Sequence, residues 1–166
     1  MANGGIIVEG PENCGKSTFC KKLQPLTGLD YIHMTRDYGF KDGKFDYIEG
    51  YFLDMQGSSN GVIFDRYYLS ELVYGKLRNT CNISKRAQEL IEVRLNDLKY
   101  FLVLLDTDAI RWKEDRKHDI SFDENLNVRK SFLEAYKSVS LIKMIVDPTL
   151  PDSVDRVYEV WKQLNK

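Results

Sequence analysis

The sequence predicts an α/β fold in three layers: a five-stranded parallel sheet flanked by helices. Two observations carry this expectation. Five short apolar runs alternate with longer segments of helical periodicity, the pattern that builds a parallel sheet. No repeat, low-complexity tract or Pro/Gly/Ser linker interrupts the alternation, and 4 prolines leave little room for a hinge. The 166 residues fit one domain spanning 1–166, because domains commonly run to ~100–200 residues.

The expected strands are 5–9 (GIIVE), 31–35 (YIHMT), 61–65 (GVIFD), 100–106 (YFLVLLD) and 143–147 (KMIVD). Four of them end in a carboxylate, Glu9, Asp65, Asp106 or Asp147. Ligands of open parallel sheets bind beyond the carboxyl ends of the strands, so these acids are placed for chemistry or cap the next helix. Between the strands, apolar stripes mark amphipathic helices. Leu69, Leu72, Val73 and Leu77 form one, and Ala87, Leu90, Ile91 and Leu98 a second. Phe122, Leu126, Phe132, Leu133 and Tyr136 form a third, opened by the capping-box pattern Ser121-Phe-Asp-Glu124. Val154, Val157, Tyr158, Trp161 and Leu164 form the last, with Asp152 or Ser153 as its cap.

Charge and cysteine content exclude several classes. The 24 Lys+Arg against 25 Asp+Glu give a formal charge of −1, which argues against a nucleic-acid or anionic-membrane partner. The longest apolar run, 101–105, is far too short to span a bilayer. Three cysteines without a CxxC, and only 2 histidines, do not make a zinc site. A cytoplasmic, reducing compartment is expected.

The strongest motif is Gly10-Pro-Glu-Asn-Cys-Gly15-Lys16-Ser17, a complete GxxxxGK[ST] phosphate loop between a predicted strand and a predicted helix. Glycines let backbone N–H groups turn toward phosphate oxygens. Lys16 is suited to the β/γ-phosphates and Ser17 to Mg²⁺, and the helix N-terminus adds its dipole. Gly10, Asn13, Cys14, Gly15, Lys16, Ser17 and Thr18 form the expected ATP-binding set. Cys14 is read as a small side chain at a variable loop position.

The segments around this loop resemble the thymidylate kinase family. Val8-Glu9-Gly10-Pro11-Glu12-Asn13-Cys14-Gly15-Lys16-Ser17-Thr18 matches that family's V-E-G-x-acid-x-x-G-K-[ST]-T, and Asp65-Arg66-Tyr67-Tyr68-Leu69-Ser70-Glu71-Leu72-Val73-Tyr74 its D-R-[YH]-x-x-S-x-x-[AV]-[YF]. Thr35-Arg36-Asp37-Tyr38-Gly39 is a weaker echo of T-R-E-P-G-G. Leu105-Asp106, Arg111, Arg116 and Asp119-x-x-Phe122-Asp-Glu124 resemble its fourth strand and lid.

The resemblance implies a P-loop kinase fold with strand order 2-3-1-4-5 and a lid near 111–121. It also implies a homodimer, ATP with Mg²⁺, and transfer of the γ-phosphate to a deoxynucleoside monophosphate, dTMP first. Arg66 then holds the acceptor phosphate, or is a structural Arg paired with a carboxylate. Asp65 holds Mg²⁺ through water or orients Arg66. Glu12 stands near the sugar 3′-hydroxyl, or faces solvent. Arg36 is a second clamp, and Asp37 binds the acceptor or caps a helix. Tyr51, Phe52 and Tyr74 complete the acceptor set. Lys16, Arg66 and one of the lid cations Arg111 and Arg116 carry catalysis, because phosphoryl transfer rewards a closing cation.

The departures concern the base pocket. The expected helix 45–56 carries aromatics but no Arg, and Gly75 stands where the family usually has Gln. At 166 residues the chain is a short member, with the shortening between the motifs. A deoxynucleoside kinase acting on a 5′-hydroxyl is the main alternative, with Asp37 or Glu12 as base, although that group usually carries Glu-Arg-Ser at the third strand end. A kinase of nucleic-acid ends is a further one. A GTPase would need a guanine-reading NKxD, which is absent; Asp54-Met-Gln-Gly57 matches DxxG only formally.

Overall fold

The protein was analysed as a computed structural model, which describes residues 4–34, 40–41, 44–45, 60–81, 83–108 and 120–166. The chain runs β1 (Ile6–Glu9), α1 (Lys16–Thr27), β2 (Asp30–His33), β3 (Phe40–Lys41), β4 (Lys44–Phe45), β5 (Val62–Asp65) and α2 (Tyr68–Ser70). It continues through α3 (Lys85–Asp97), β6 (Phe101–Leu105), α4 (Phe122–Lys137), β7 (Lys143–Val146) and α5 (Ser153–Leu164). Helix α2 passes directly into a π turn, Glu71–Gly75.

The main sheet has the order β2-β5-β1-β6-β7, all parallel. Numbered along the chain, its strands lie 2-3-1-4-5, as expected. Side chains alternate across the three central strands and feed two cores. Ile7, Val62, Phe64, Leu102 and Leu104 pack with α2, α3 and α4, while Ile6, Val8, Ile63, Phe101, Val103 and Leu105 pack with α1 and α5. Strands buried on both faces read as continuous apolar runs. The flanking β2 and β7 are only partly buried and close the sheet at its edges.

The capping box at α4 forms as its sequence pattern predicts. Ser121 N donates to Glu124 Oε2 at 2.8 Å, and Glu124 N donates to Ser121 Oγ at 3.2 Å. Its C-terminus is held by Lys143, whose Nζ donates to the carbonyls of Tyr136 and Val139 at 2.8 and 2.6 Å. At α5, Asp152 occupies the cap position without a side-chain hydrogen bond. Among the described residues no helix is long and apolar enough to cross a membrane.

Three expectations are corrected. Phe45 does not open a helix: Phe40 pairs with Phe45 and Lys41 with Lys44 in an antiparallel hairpin. The intervening dipeptide is Asp42-Gly43, a sequence signal for a two-residue hairpin turn. Leu77, Leu90 and Phe122 are exposed rather than buried. On α3 Ile91 is buried as expected, with Glu92 and Leu95 in place of Leu90.

Glu92 is a buried carboxylate that staples three elements. It accepts from Tyr68 Oη at 2.9 Å, from Gln88 Nε2 at 2.8 Å, and from Ser140 N and Oγ at 2.8 and 2.6 Å. Burial and this neighbouring acid push the Tyr68 phenol well above its usual range. Replacing Glu92 by Gln sets amide hydrogens against these donors. The expected cost is about 2 kcal/mol, measured by urea unfolding, with ligand binding by the folded fraction unchanged.

Candidate phosphate-binding site

The parallel register that pairs Val8 with Asp65 and Asp65 with His33 sets the site at the carboxyl edge of the sheet. From β1 the chain leaves through Gly10 at φ 151°. A Cβ there would meet the Leu105 carbonyl oxygen at 2.7 Å and Cys14 Sγ at 2.9 Å, so glycine is required by conformation and by space. Asn13 at φ 60° and Gly15 at φ 88° complete the turn into α1. Lys16 is almost wholly buried, and its ammonium donates to the Gly10 carbonyl at 2.9 Å and to the Pro11 carbonyl, with Cys14 Sγ 3.6 Å away. The cation therefore lies over the loop that the motif assigns to phosphate.

One carboxylate oxygen gathers the next shell of the site. Asp65 Oδ2 accepts from Ser17 Oγ at 2.6 Å and Tyr31 Oη at 2.8 Å, with His33 Nδ1 at 3.0 Å. Tyr31 and His33 reach it together because alternate residues of β2 share one face. Burial would raise the Asp65 pKa, but the hydrogen bonds from Ser17, Tyr31 and His33 outweigh it and hold the carboxyl below its ordinary value. Asp65 Oδ1 is buried and has no hydrogen-bond partner among the described residues.

Glu9, the last residue of β1, fastens the start of α2. Its Oε1 accepts from the N–H groups of Tyr67 at 2.8 Å and Ser70 at 3.1 Å, and its Oε2 from Ser70 Oγ. Burial raises its pKa, partly offset by these bonds. Glu9 thus supplies the acceptor that the buried N–H groups at the start of α2 require. Arg66 lies between these two acids in the left-handed region, at φ 72°. A non-glycine residue held there costs of order 1–3 kcal/mol and marks an over-determined site. Its guanidinium stands 5.6 Å from the Tyr74 ring centroid, and its buried Nε has no hydrogen-bond partner among the described residues. No carboxylate among the described residues forms an ion pair with it, and the cation rests on an aromatic face.

Tyr74 is buried beside the Glu12 backbone, and burial raises its phenol above the usual range despite Arg66 nearby. The ring also carries the Arg78 guanidinium at 5.5 Å and packs edge-on against Phe132 of α4. Gly75 makes room for Glu71: a Cβ there would meet Glu71 Oε1 at 2.4 Å. The position where Gln was missed is therefore filled by a carboxylate from the preceding turn. Glu12 is half-buried, its peptide held by Asn125.

The structure brings together Gly10, Glu12, Asn13, Cys14, Gly15, Lys16, Ser17, Asp65, Arg66 and Tyr74, and places Thr18 on the exposed side of α1. Arg36, Asp37, Tyr51, Phe52, Arg111 and Arg116 lie outside the described residues. Sequence reasoning missed Tyr31, His33, Asn125 and Arg129. Arg129 forks onto Asp106 through Nε, at 2.5 Å, and Nη2, at 3.0 Å, and reaches Asp108 through Nη1 at 2.6 Å. Of the four strand-end acids, Asp65 meets the phosphate loop and Glu9 anchors α2. Asp106 holds Arg129, and Asp147 accepts from Thr149 N and Oγ1.

With this geometry in hand, the chain was compared with known proteins. No protein-family model matches it, and no curated protein does. Solved structures match over nearly the whole chain. YorR protein from Bacillus subtilis, solved in complex with phosphorylated GDP, superposes with a TM-score of 0.75 at 23% identity, covering 96% of this chain and 94% of that one. Shikimate kinase from Aquifex aeolicus superposes with a TM-score of 0.56 at 16% identity, over 98% and 99%. Deoxyadenosine kinase from M. mycoides with bound dATP gives 0.57 at 14%, over 96% and 100%. The fold is that of the P-loop kinases. At these identities the likeness extends to the architecture and the strand order.

The lowered pKa of Asp65 fixes a sign. A carboxyl whose folded value lies below its unfolded value stabilises the protein above the unfolded value, about 3.9, and loses that contribution as pH falls through the folded one. The penalty of Asp65→Asn in urea unfolding is therefore full near neutrality and shrinks as pH drops below about 4.

Proposed function

We propose that this protein is an ATP-dependent phosphotransferase of the thymidylate-kinase type, moving the γ-phosphate to a deoxynucleoside monophosphate. The observation that carries the reading is the convergence of the phosphate loop, Asp65 and a left-handed, aromatic-backed Arg66 at one edge of the sheet. A guanidinium is the side chain best matched to a phosphate by its planar fork. It stands one residue beyond Asp65, whose carboxylate accepts from Ser17 of the loop.

Mg²⁺ fits the residues present. Ser17 spends its hydroxyl hydrogen on Asp65, which leaves its oxygen lone pairs free for a cation. Asp65 stays ionised and keeps a second, unpartnered oxygen. Oxygen donors of this kind, completed by phosphate and water, are the habit of Mg²⁺. When bound with ATP, it would be held by Ser17 and Asp65 and would neutralise charge on the β- and γ-oxygens.

In the proposed reaction an oxygen of the acceptor phosphate bonds to the γ-phosphorus while the bond to the β,γ-bridging oxygen breaks, releasing ADP. The acceptor arrives ionised, so no general base is needed. Lys16 moves from the loop carbonyls to the β/γ-oxygens, and Arg66, with Arg36, orients the acceptor phosphate. A lid Arg, 111 or 116, closes over the migrating group. The Glu12 carboxylate takes the sugar 3′-hydroxyl, with Asp37, Tyr51, Phe52 and Tyr74 around the nucleoside. The resemblance also supports a homodimer, for which exposed Leu90 and Val93 on α3 offer apolar surface.

The first acceptor is dTMP, on the two sequence motifs. A guanine nucleotide is the second, on the phosphorylated GDP in YorR and on the lack of Arg in 45–56. ADP release measured across nucleosides and monophosphates decides the acceptor: monophosphates are expected to turn over, and turnover with nucleosides alone overturns the assignment.

Arg66→Ala should raise the acceptor KM by about tenfold or more with little change for ATP, and Arg66→Lys should not restore it because the fork is lost. Lys16→Ala should lower kcat by about 10²–10³. Full activity in Lys16→Ala would sink the mechanism.

A further inference from the structure

Helix α4 touches the site from outside the motifs. Asn125 is completely buried, and its side-chain amide pairs with the backbone of a single residue: Oδ1 accepts from Glu12 N at 3.1 Å, and Nδ2 donates to Glu12 O at 3.0 Å. The two residues are 113 apart in sequence. Asn125, Arg129 and Phe132 fall at i, i+4 and i+7, one face of a helix. Each reaches a different part of the site: Asn125 the phosphate loop, Arg129 Asp106 and Asp108 beyond β6, and Phe132 the Tyr74 ring at 5.8 Å. A carboxamide carries both a donor and an acceptor, so it can satisfy the N–H and the C=O of one residue together.

We propose that Asn125 is a positioning residue that sets the phosphate loop in its binding conformation. It does so by fixing the backbone of Glu12, from which the chain turns through Asn13 and Gly15 into α1. With the N–H and the C=O of Glu12 both engaged, the direction in which the backbone runs through the loop is set. The Glu12 side chain also leaves the loop in a fixed direction. The inference rests on the reading of 10–17 as a triphosphate site.

The test uses Asn125→Ala and Asn125→Asp in the full chain. Equilibrium binding of a fluorescent ATP analogue with Mg²⁺ is measured near pH 8 and near pH 6, with thermal unfolding on the same samples. Losing both hydrogen bonds should weaken the analogue by about tenfold or more in Asn125→Ala at either pH. In Asn125→Asp the ionised carboxylate faces the Glu12 carbonyl, so binding is equally weak near pH 8. Protonation restores a donor and an acceptor, and because burial favours the neutral acid, affinity recovers toward wild type near pH 6.

That acid rescue is the signature of positioning, and it is read from Asn125→Asp alone if Asn125→Ala does not fold. Wild-type affinity in both variants, or an Asn125→Asp profile as flat as that of the wild-type chain, would overturn the proposal. A wild-type chain that binds no ATP analogue would overturn the triphosphate reading, and the proposal with it.

Discussion

A carboxylate taken out of water must be hydrogen-bonded or give up its charge, and two of them organise the carboxyl edge of this sheet. Glu9 and Asp65 end neighbouring parallel strands and are both fully buried. Each has recruited its donors from a different element. Asp65 draws in the first turn of α1 through Ser17 and the edge strand through Tyr31 and His33. Glu9 draws in the start of α2 through Tyr67 and Ser70. The phosphate loop and Arg66 are suspended between these anchors. Their relative placement follows from satisfying two charges and not from the loops themselves.

The environment separates the two acids. Glu9 has desolvation as its dominant influence and is pushed up, while Asp65 has enough donors to be pulled down. That division matches their surroundings: Glu9 sits among backbone and hydroxyl donors of a helix start, whereas Asp65 keeps an unpartnered oxygen next to the serine of the loop. Neighbouring acids pushed apart in this way are a mark of functional sites.

What was legible in the sequence is what is encoded locally. The phosphate loop is contiguous, so its glycines, Lys16 and Ser17 could be read in one window. The capping box needed only four residues, and the buried strands only their apolar runs. Asp65-Arg66 was legible as a motif, but the left-handed backbone of Arg66 and its aromatic support were not, because Tyr74 approaches across a π turn. Glu92 reads as the polar side of a helix; only its four donors, from Tyr68, Gln88 and Ser140, make it part of the interior. Asn125 was invisible for a stronger reason: its partner is more than a hundred residues away. The hairpin at 40–45 did have a local signal in Asp-Gly, which the aromatic content of the following segment masked.

The π turn at Glu71–Gly75 has a consequence for the geometry of everything after it. An α-helix advances each residue by ~100°, and accommodating one extra residue in a turn shifts the phase of all later side chains by about that amount. The phase change decides which residue of the helix faces back toward Arg66, and Tyr74 takes that place while Leu77 falls on the water side. The exposed leucine and the aromatic support of the arginine are thus two readings of the same rotational offset. A regular helix with this amino-acid order would bury the one and lose the other.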